Sequence, residues 1–338
     1  MINTKNLLSA RNAVPLGGLA ILLIIPLFVT SNYHISILIT CMAFSVFAVA
    51  WNIIGGYGNQ VSWASSAFVA IGAYTNFILG AGGPFAFEVS PFVSLPLGMV
   101  LSYIMATIIG YGSFRLRGAY FAIATIAFAE AFRSAIQFFS DFTRGTIGLF
   151  VPYRGNNFWG LSFSNDRPFY YIFVILLVLS LVFCNWFVKS KTGYYLSCIK
   201  GDEDAAQSLG IETFKIKLRA FQVSAVMMAV AGAFYASFLT FISPASTASF
   251  NLSIMIGIAA IIGGTGTLWG PVLGAFIIVP LIEIAGIWLG ASGASNVLYG
   301  LLLVVMVMYR PQGLITVFYA LGDKIQKNRK NAAAAKGE

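Results

Sequence analysis

Long apolar runs, separated by short clusters of Lys, Arg, Asp and Gly, follow one another from near residue 14 to near residue 309. Runs of roughly 17–25 apolar residues are the length a helix needs to cross a hydrocarbon core. They predict about ten spans, near 14–32, 35–54, 60–80, 91–113, 118–139, 168–188, 219–242, 247–263, 271–289 and 294–309. The expected fold class is an all-α integral membrane protein, a polytopic helical bundle. Boundaries read in this way are loose by several residues.

Composition points the same way. Apolar residues make up 59% of the 338 positions and charged ones 9%, too few to coat a soluble fold of this length. A net charge of +9 raises the question of nucleic acid, but the cations sit in short loops and the tail, as cytoplasmic anchors do. Arg115 and Arg117 mark one loop. Lys189, Lys191, Lys200, Lys215, Lys217 and Arg219 mark a second, and Arg310, Lys324, Lys327, Arg329 and Lys330 mark the tail. Ten spans put all of them on one side with both termini, which would be cytoplasmic. Residues 140–167 then form the longest outer loop, where Arg144, Arg154 and Arg167 run against the rule and Asp141 and Asp166 partly balance them. Lys5 and Arg11 precede a first span read as uncleaved. The chain reads as one transmembrane domain, 1–320, with an inner loop at 189–218 and a basic tail, 321–338, of disordered composition. Cys41, Cys184 and Cys198 have no CxxC spacing and read as small hydrophobes.

Two glycine-rich breaks interrupt the pattern. "IIGGYGNQ" begins at Ile53 and "IIGGTGTLWGP" at Ile261, a faint repeat offset by 208 residues. Broken helices often line transport paths because their ends present partial charges to polar solutes. Glycines also permit close helix packing, which is the plainer reading. The pathway reading selects Gly55, Gly56, Asn59, Gln60 and Ser62 at the first break, and Gly263, Gly264, Thr265 and Thr267 at the second. Glu130 and Glu283 join them as carboxylates in the middle of apolar spans, where a charge is expensive and faces a cavity or the bundle interior. Arg133 stands three residues after Glu130 and can pair with it; Glu283 has no cation at that spacing. The single His34, near an outer span end, reads as interfacial. No GxxxxGK[ST], HExxH or GxSxG motif occurs, so neither an enzyme activity nor a cofactor is expected, and energy for transport must come from elsewhere.

The densest charge in the chain is "KGDEDAAQSLG", Lys200 to Gly210. Asp202, Glu203 and Asp204 stand where a helix would begin and suit the positive end of its dipole. Gly210 suits the left-handed residue that ends it. Ala205, Ala206 and Leu209 would give a short helix with a narrow apolar face, able to lie in a partner's groove. A plain solvated loop helix is the alternative.

Here a family resemblance becomes specific. "DAAQSLG" is similar to the EAA-xxx-G loop of ABC importer permeases, with Asp204 where Glu is usual, and "LSCIKGDEDAAQSLGI" resembles the LivM-type permeases of branched-chain amino acid importers. "GGYGNQVSWASSAFVAIGAYT" resembles that family's GYxGQxSxGHAAFxGIGAYT, departing at Ala64 and Ser65, where Gly and His are usual. "FRLRGAYFAIATIAFAEAFR", "TRGTIGL" and "IIGGTGTLWGPVLGA" match further segments in family order, so the likeness spans roughly residues 40–315.

The resemblance implies a permease subunit of a bacterial inner-membrane ABC importer. It would pair with a homologous LivH-type permease, two cytoplasmic ATPase subunits of LivG and LivF types, and a periplasmic binding protein that delivers a branched-chain amino acid or a related small amino acid or amide. The segment Asp202–Gly210 would be the helix that couples to the ATPase. Urea and amide importers share these patterns, and the departures at Ala64 and Ser65 leave such substrates open. Two other classes compete with this reading: a secondary transporter driven by an ion gradient, and an assembly subunit with no path of its own.

Overall fold

The segment "CMAFSVFAVAWN" is apolar on every side, and a helix of that kind belongs in the interior. In the computed structural model it ends helix α1, Asn32–Asn52, and every residue from Cys41 to Asn52 is buried. The structure describes residues 31–80, 89–151, 153 and 155–289, with scattered positions at 18, 22, 23, 25, 26, 28, 29, 300, 301, 308 and 313–316. The expected spans 14–32 and 294–309 and the tail 321–338 lie largely or wholly outside the described residues.

A π-helical turn, Ile53–Tyr57, continues α1. Then follow α2 (Ser65–Leu79), α3 (Pro91–Ser113), α4 (Ala119–Phe138), a single turn α5 (Ser140–Thr143) and a two-residue strand β1 (Leu149–Phe150). The second half comprises α6 (Arg167–Val188), α7 (Lys191–Gly201), α8 (Glu203–Ser208), α9 (Thr213–Leu239), β2 (Phe241–Ile242), α10 (Pro244–Thr247), α11 (Phe250–Gly263) and α12 (Gly270–Leu289). Among the described residues six helical stretches are long and apolar enough to cross a membrane: Asn32–Tyr57, Pro91–Ser113, Ala119–Phe138, Arg167–Val188, Thr213–Leu239 and Pro244–Gly263. The expected number of about ten is therefore not reached there. One reason is local: residues 60–64, expected inside a span, are not helical, so α2 has only 15 residues.

Helix α1 is surrounded by α6, α9, α11 and α12, and α9 packs in turn on α2 and α3. Small residues set these distances. A Cβ at Gly72 of α2 would fall on the Ala229 carbonyl of α9, and one at Gly232 of α9 on the Val69 carbonyl of α2. In lipid, where apolar surface gives no drive for helices to associate, such close backbone approach and hydrogen bonding hold helices together. Ser224 of α9 donates to the Ala50 carbonyl of α1 at 2.7 Å, and Ser102 of α3 to the Ala225 carbonyl of α9 at 2.9 Å.

Helix α3 turns its small side inward (Ser94, Gly98, Ser102, Ala106, Gly110) and leaves Val93, Leu97, Val100, Ile104 and Ile108 exposed. Helix α6 likewise exposes Ile175, Leu179 and Val182. This inversion of a soluble core is the arrangement expected of a lipid-facing rim, so the chain is a multi-pass membrane protein. At the end away from the basic loops, β1 pairs antiparallel with β2, Leu149 opposite Ile242 and Phe150 opposite Phe241. The pairing ties the 140–167 loop to the end of α9.

Candidate coupling and translocation site

The turn from α6 into α7 is tight, with Gly193 against the Phe187 and Val188 carbonyls, where a Cβ would not fit. After α7, Asp202 takes an extended backbone and its Oδ1 accepts from the amides of Asp204 (2.9 Å) and Ala205 (3.0 Å), capping α8. At the other end Gly210 has φ +83°, its amide donates to the Gln207 carbonyl and that of Ile211 to the Ala206 carbonyl. These two bonds form the glycine-terminated helix end expected from the sequence.

The three acids have three separate partners. Asp202 caps its own helix. Glu203 Oε1 accepts from Lys217 Nζ at 2.6 Å, and Lys217 is only 2% exposed, with its ammonium 5.6 Å from the centre of the Phe114 ring. Asp204 meets the Arg117 guanidinium at 2.8 Å, in the open. The hydrogen bond that Arg117 donates to Asp204, the charge of Asp204 and that of Glu203 hold the Arg117 guanidinium above its ordinary value, but a pair this exposed adds little stability. Inward attachment therefore rests on Glu203 and on Gln207, whose side chain donates to Thr213 at 2.8 Å.

Ala206 points inward and is buried, so it does not share an outward apolar face with Ala205 and Leu209 as the sequence suggested. Glu203 and Gln207 face the bundle, leaving Ala205, Ser208 and Leu209 outward, Leu209 being 81% exposed.

The two glycine breaks meet each other. Asn52, at the end of α1, accepts from the Gly266 amide (2.8 Å) and donates to the Thr267 carbonyl (2.8 Å). Gly56 lies so close that a Cβ there would overlap the Asn52 amide and the Gly266 nitrogen. Lys200, at the end of α7, donates to the Gly56 carbonyl at 2.7 Å. The end of α7 thus touches the first break, and Lys200 Nζ also lies against Gly266 of the second.

Beyond the π-helical turn Asn59 takes a left-handed backbone (φ +53°), which asparagine tolerates better than most. The non-helical strip to Ala64 would leave polar backbone groups bare inside a membrane, and neighbouring side chains satisfy them. Trp51 donates to the Ser62 carbonyl (2.7 Å), Thr125 accepts from Trp63 (3.0 Å) and the Ser62 hydroxyl from Ala64 (3.3 Å), while in the first turn of α2 Ser253 accepts from Ser66 (2.9 Å). Thr267 bridges the second break, donating to the Gly264 carbonyl and accepting from Gly270.

Among the residues selected from sequence, Gly55, Gly56, Ser62, Gly263 and Gly264 are buried, Gln60 and Thr267 are half-buried, and Asn59 and Thr265 are exposed. The carboxylates do not join them. Glu130 is exposed on α4 and pairs with Arg133 at 3.1 Å, as the spacing anticipated. Glu283 is exposed on α12, within electrostatic reach of Cys41 and Tyr235. Asn52 and Lys217 were missed as site residues. Asn52 is the one amide in an otherwise apolar run, a readable signal, whereas nothing in "FKIKLRAF" singles out Lys217 as the buried cation. At the end away from the basic loops a cavity of about 250 Å³ opens between Asn76, Ser90, Asn157, Trp159 and Ser237.

The profile of the family described as branched-chain amino acid transport system / permease component matches residues 33–307. The chain is 28% identical over 333 residues to the high-affinity branched-chain amino acid transport system permease protein LivM of Escherichia coli K12, covering 92% of this chain and 75% of that protein. It is 28% identical over 310 residues to the LivM protein of Salmonella typhimurium LT2, covering 85% and 71%. To the LivH permease protein of Salmonella typhimurium it is 23% identical over 283 residues, covering 80% and 91%. No solved structure matches.

Proposed function

Because this chain belongs to the family of permease components of branched-chain amino acid transport systems, we propose that it forms half of the membrane path of a bacterial ABC importer and takes its motion from ATPase subunits through α8. It is a LivM-type permease. The observation that carries the coupling role is the way α8 is held: capped by Asp202, ended by Gly210, and fixed inward through the ion pair of Glu203 with the buried Lys217. That attachment leaves Leu209 and Ala205 free to meet another protein. A solvated loop helix would need no buried cation beneath it.

On this reading the basic loops and both termini are cytoplasmic, in the inner membrane, and residues 1–320 form one permease domain. The partners are a LivH-type permease, LivG- and LivF-type ATPases and a periplasmic binding protein. The substrate is a branched-chain amino acid, with related small amino acids, amides or urea as the alternative that Ala64 and Ser65 leave open. Gly55, Gly56, Asn59, Gln60, Ser62, Gly263, Gly264, Thr265 and Thr267 are the residues where the path is proposed to change shape. Glu130 and Glu283 belong to it only where a partner permease covers them, since both are exposed on this chain.

Reconstitution into proteoliposomes with the four partner types tests the reading. Uptake of leucine should need ATP and binding protein together. Uptake driven by an ion gradient alone would overturn it in favour of a secondary transporter.

A further inference from the structure

We propose that the groove between α3, α6 and α9 at the basic end is a binding site for an anionic phospholipid. The groove holds about 490 Å³. Tyr103, Phe183, Trp186, Val226 and Met227 form its walls, and Ser190, Thr192 and Arg219 close it at the end where the basic loops emerge. Tyr103 lies ten residues before the end of α3, so the apolar walls run roughly 15 Å toward the bilayer centre. They are continuous with the exposed apolar face of α3 and α6, and Trp186 itself is 64% exposed.

Charge selects the occupant. Arg219 is exposed and, among the described residues, its side chain has no hydrogen bond or ion pair. Lys189 and Lys191, both exposed, flank Ser190, and no acidic side chain lines the groove. An apolar slot with a free guanidinium at its mouth matches an acyl chain below an anionic headgroup, and basic pockets between helices at a cytoplasmic membrane surface bind such lipids. Trp186 sits where interfacial tryptophan is expected. A soluble anion would gain nothing from the apolar walls, and a zwitterionic lipid would leave the surplus positive charge unanswered. The inference is independent of which solute is carried.

The test uses the full chain, in the complex it purifies with, in nanodiscs of phosphatidylcholine doped with photoactivatable phosphatidylglycerol or photoactivatable phosphatidylcholine. Phosphatidylglycerol should label peptides spanning Phe183–Thr192 and Arg219–Met227. Labelling should fall about fivefold in Arg219→Gln, the weight of one juxtamembrane cation. It should also fall in Val226→Trp, which fills the groove and leaves Arg219 in place, and inorganic phosphate should not compete. Equal labelling by the two lipids, no change in either variant, displacement by phosphate, or no labelling because a second polypeptide covers the groove would each overturn the proposal.

Discussion

At the residue scale, the most informative position is Gly210. Its φ of +83° lies in the left-handed region, and a Cβ there would meet nothing within 4 Å. A substitution therefore strains the backbone without a clash, costing about 1–2 kcal/mol for a branched residue. Gly210→Val should leave assembly intact and lower substrate-stimulated ATP hydrolysis, while Gly210→Asn should retain most of it, since asparagine tolerates this backbone. Equal behaviour of the two variants would show that the helix end is not what matters. The Glu203–Lys217 pair is asymmetric, because Lys217 is 2% exposed and Glu203 20%. Removing the carboxylate strands a buried cation, a loss of about 3 kcal/mol, whereas removing the cation leaves an acid that water can reach. Glu203→Ala should then lower the unfolding midpoint of the purified protein more than Lys217→Met. The reverse order in a denaturation series would contradict the burial argument.

At the scale of elements, the contact that matters is between α7 and the two breaks. Lys200 holds the Gly56 carbonyl, and Asn52 holds Gly266 and Thr267. On the proposed coupling role, movement of α8 would reach the breaks through α7 and the Lys200–Gly56 hydrogen bond, not through a long loop. Lys200→Met keeps the length of the side chain and removes the donor. It should leave ATP hydrolysis within about twofold and lower uptake per ATP hydrolysed by about tenfold, the effect of one lost charged hydrogen bond. Transport and hydrolysis falling in parallel would place Lys200 in assembly instead.

At the scale of the whole molecule, the breaks are both packed against each other and partly open, since Asn59 and Thr265 are exposed while Ser62 is buried. Cysteines at 59 and 265 should react with small polar thiol reagents in every state. Those at 60, 62 and 267 should react only when the path opens, and so respond to trapping the ATPase dimer closed. If 60, 62 and 267 stay unreactive in both states, the glycines serve packing alone. Glu283, exposed on α12, tests the neighbouring subunit: Glu283→Gln should alter transport only if the partner permease buries it, and normal uptake would assign it to the rim.

The sequence by itself determined the class of this protein. Apolar run length fixes a membrane helix bundle whatever the packing, because lipid leaves a chain few other ways to satisfy its backbone. It also determined both ends of the short acidic helix, since an N-cap carboxylate and a left-handed glycine are local requirements. The Glu130–Arg133 pair was legible for the same reason, being one turn apart on one helix. What the tertiary structure decided is everything that depends on residues far apart in the chain. Lys217 reads like any loop lysine until α9 is seen to begin at Thr213, which places it inside the bundle beside Glu203 and Phe114. The two glycine breaks could be recognised as similar, but not as touching. Their contact runs through Asn52 across more than 200 positions of sequence, and no local propensity encodes a distance of that kind.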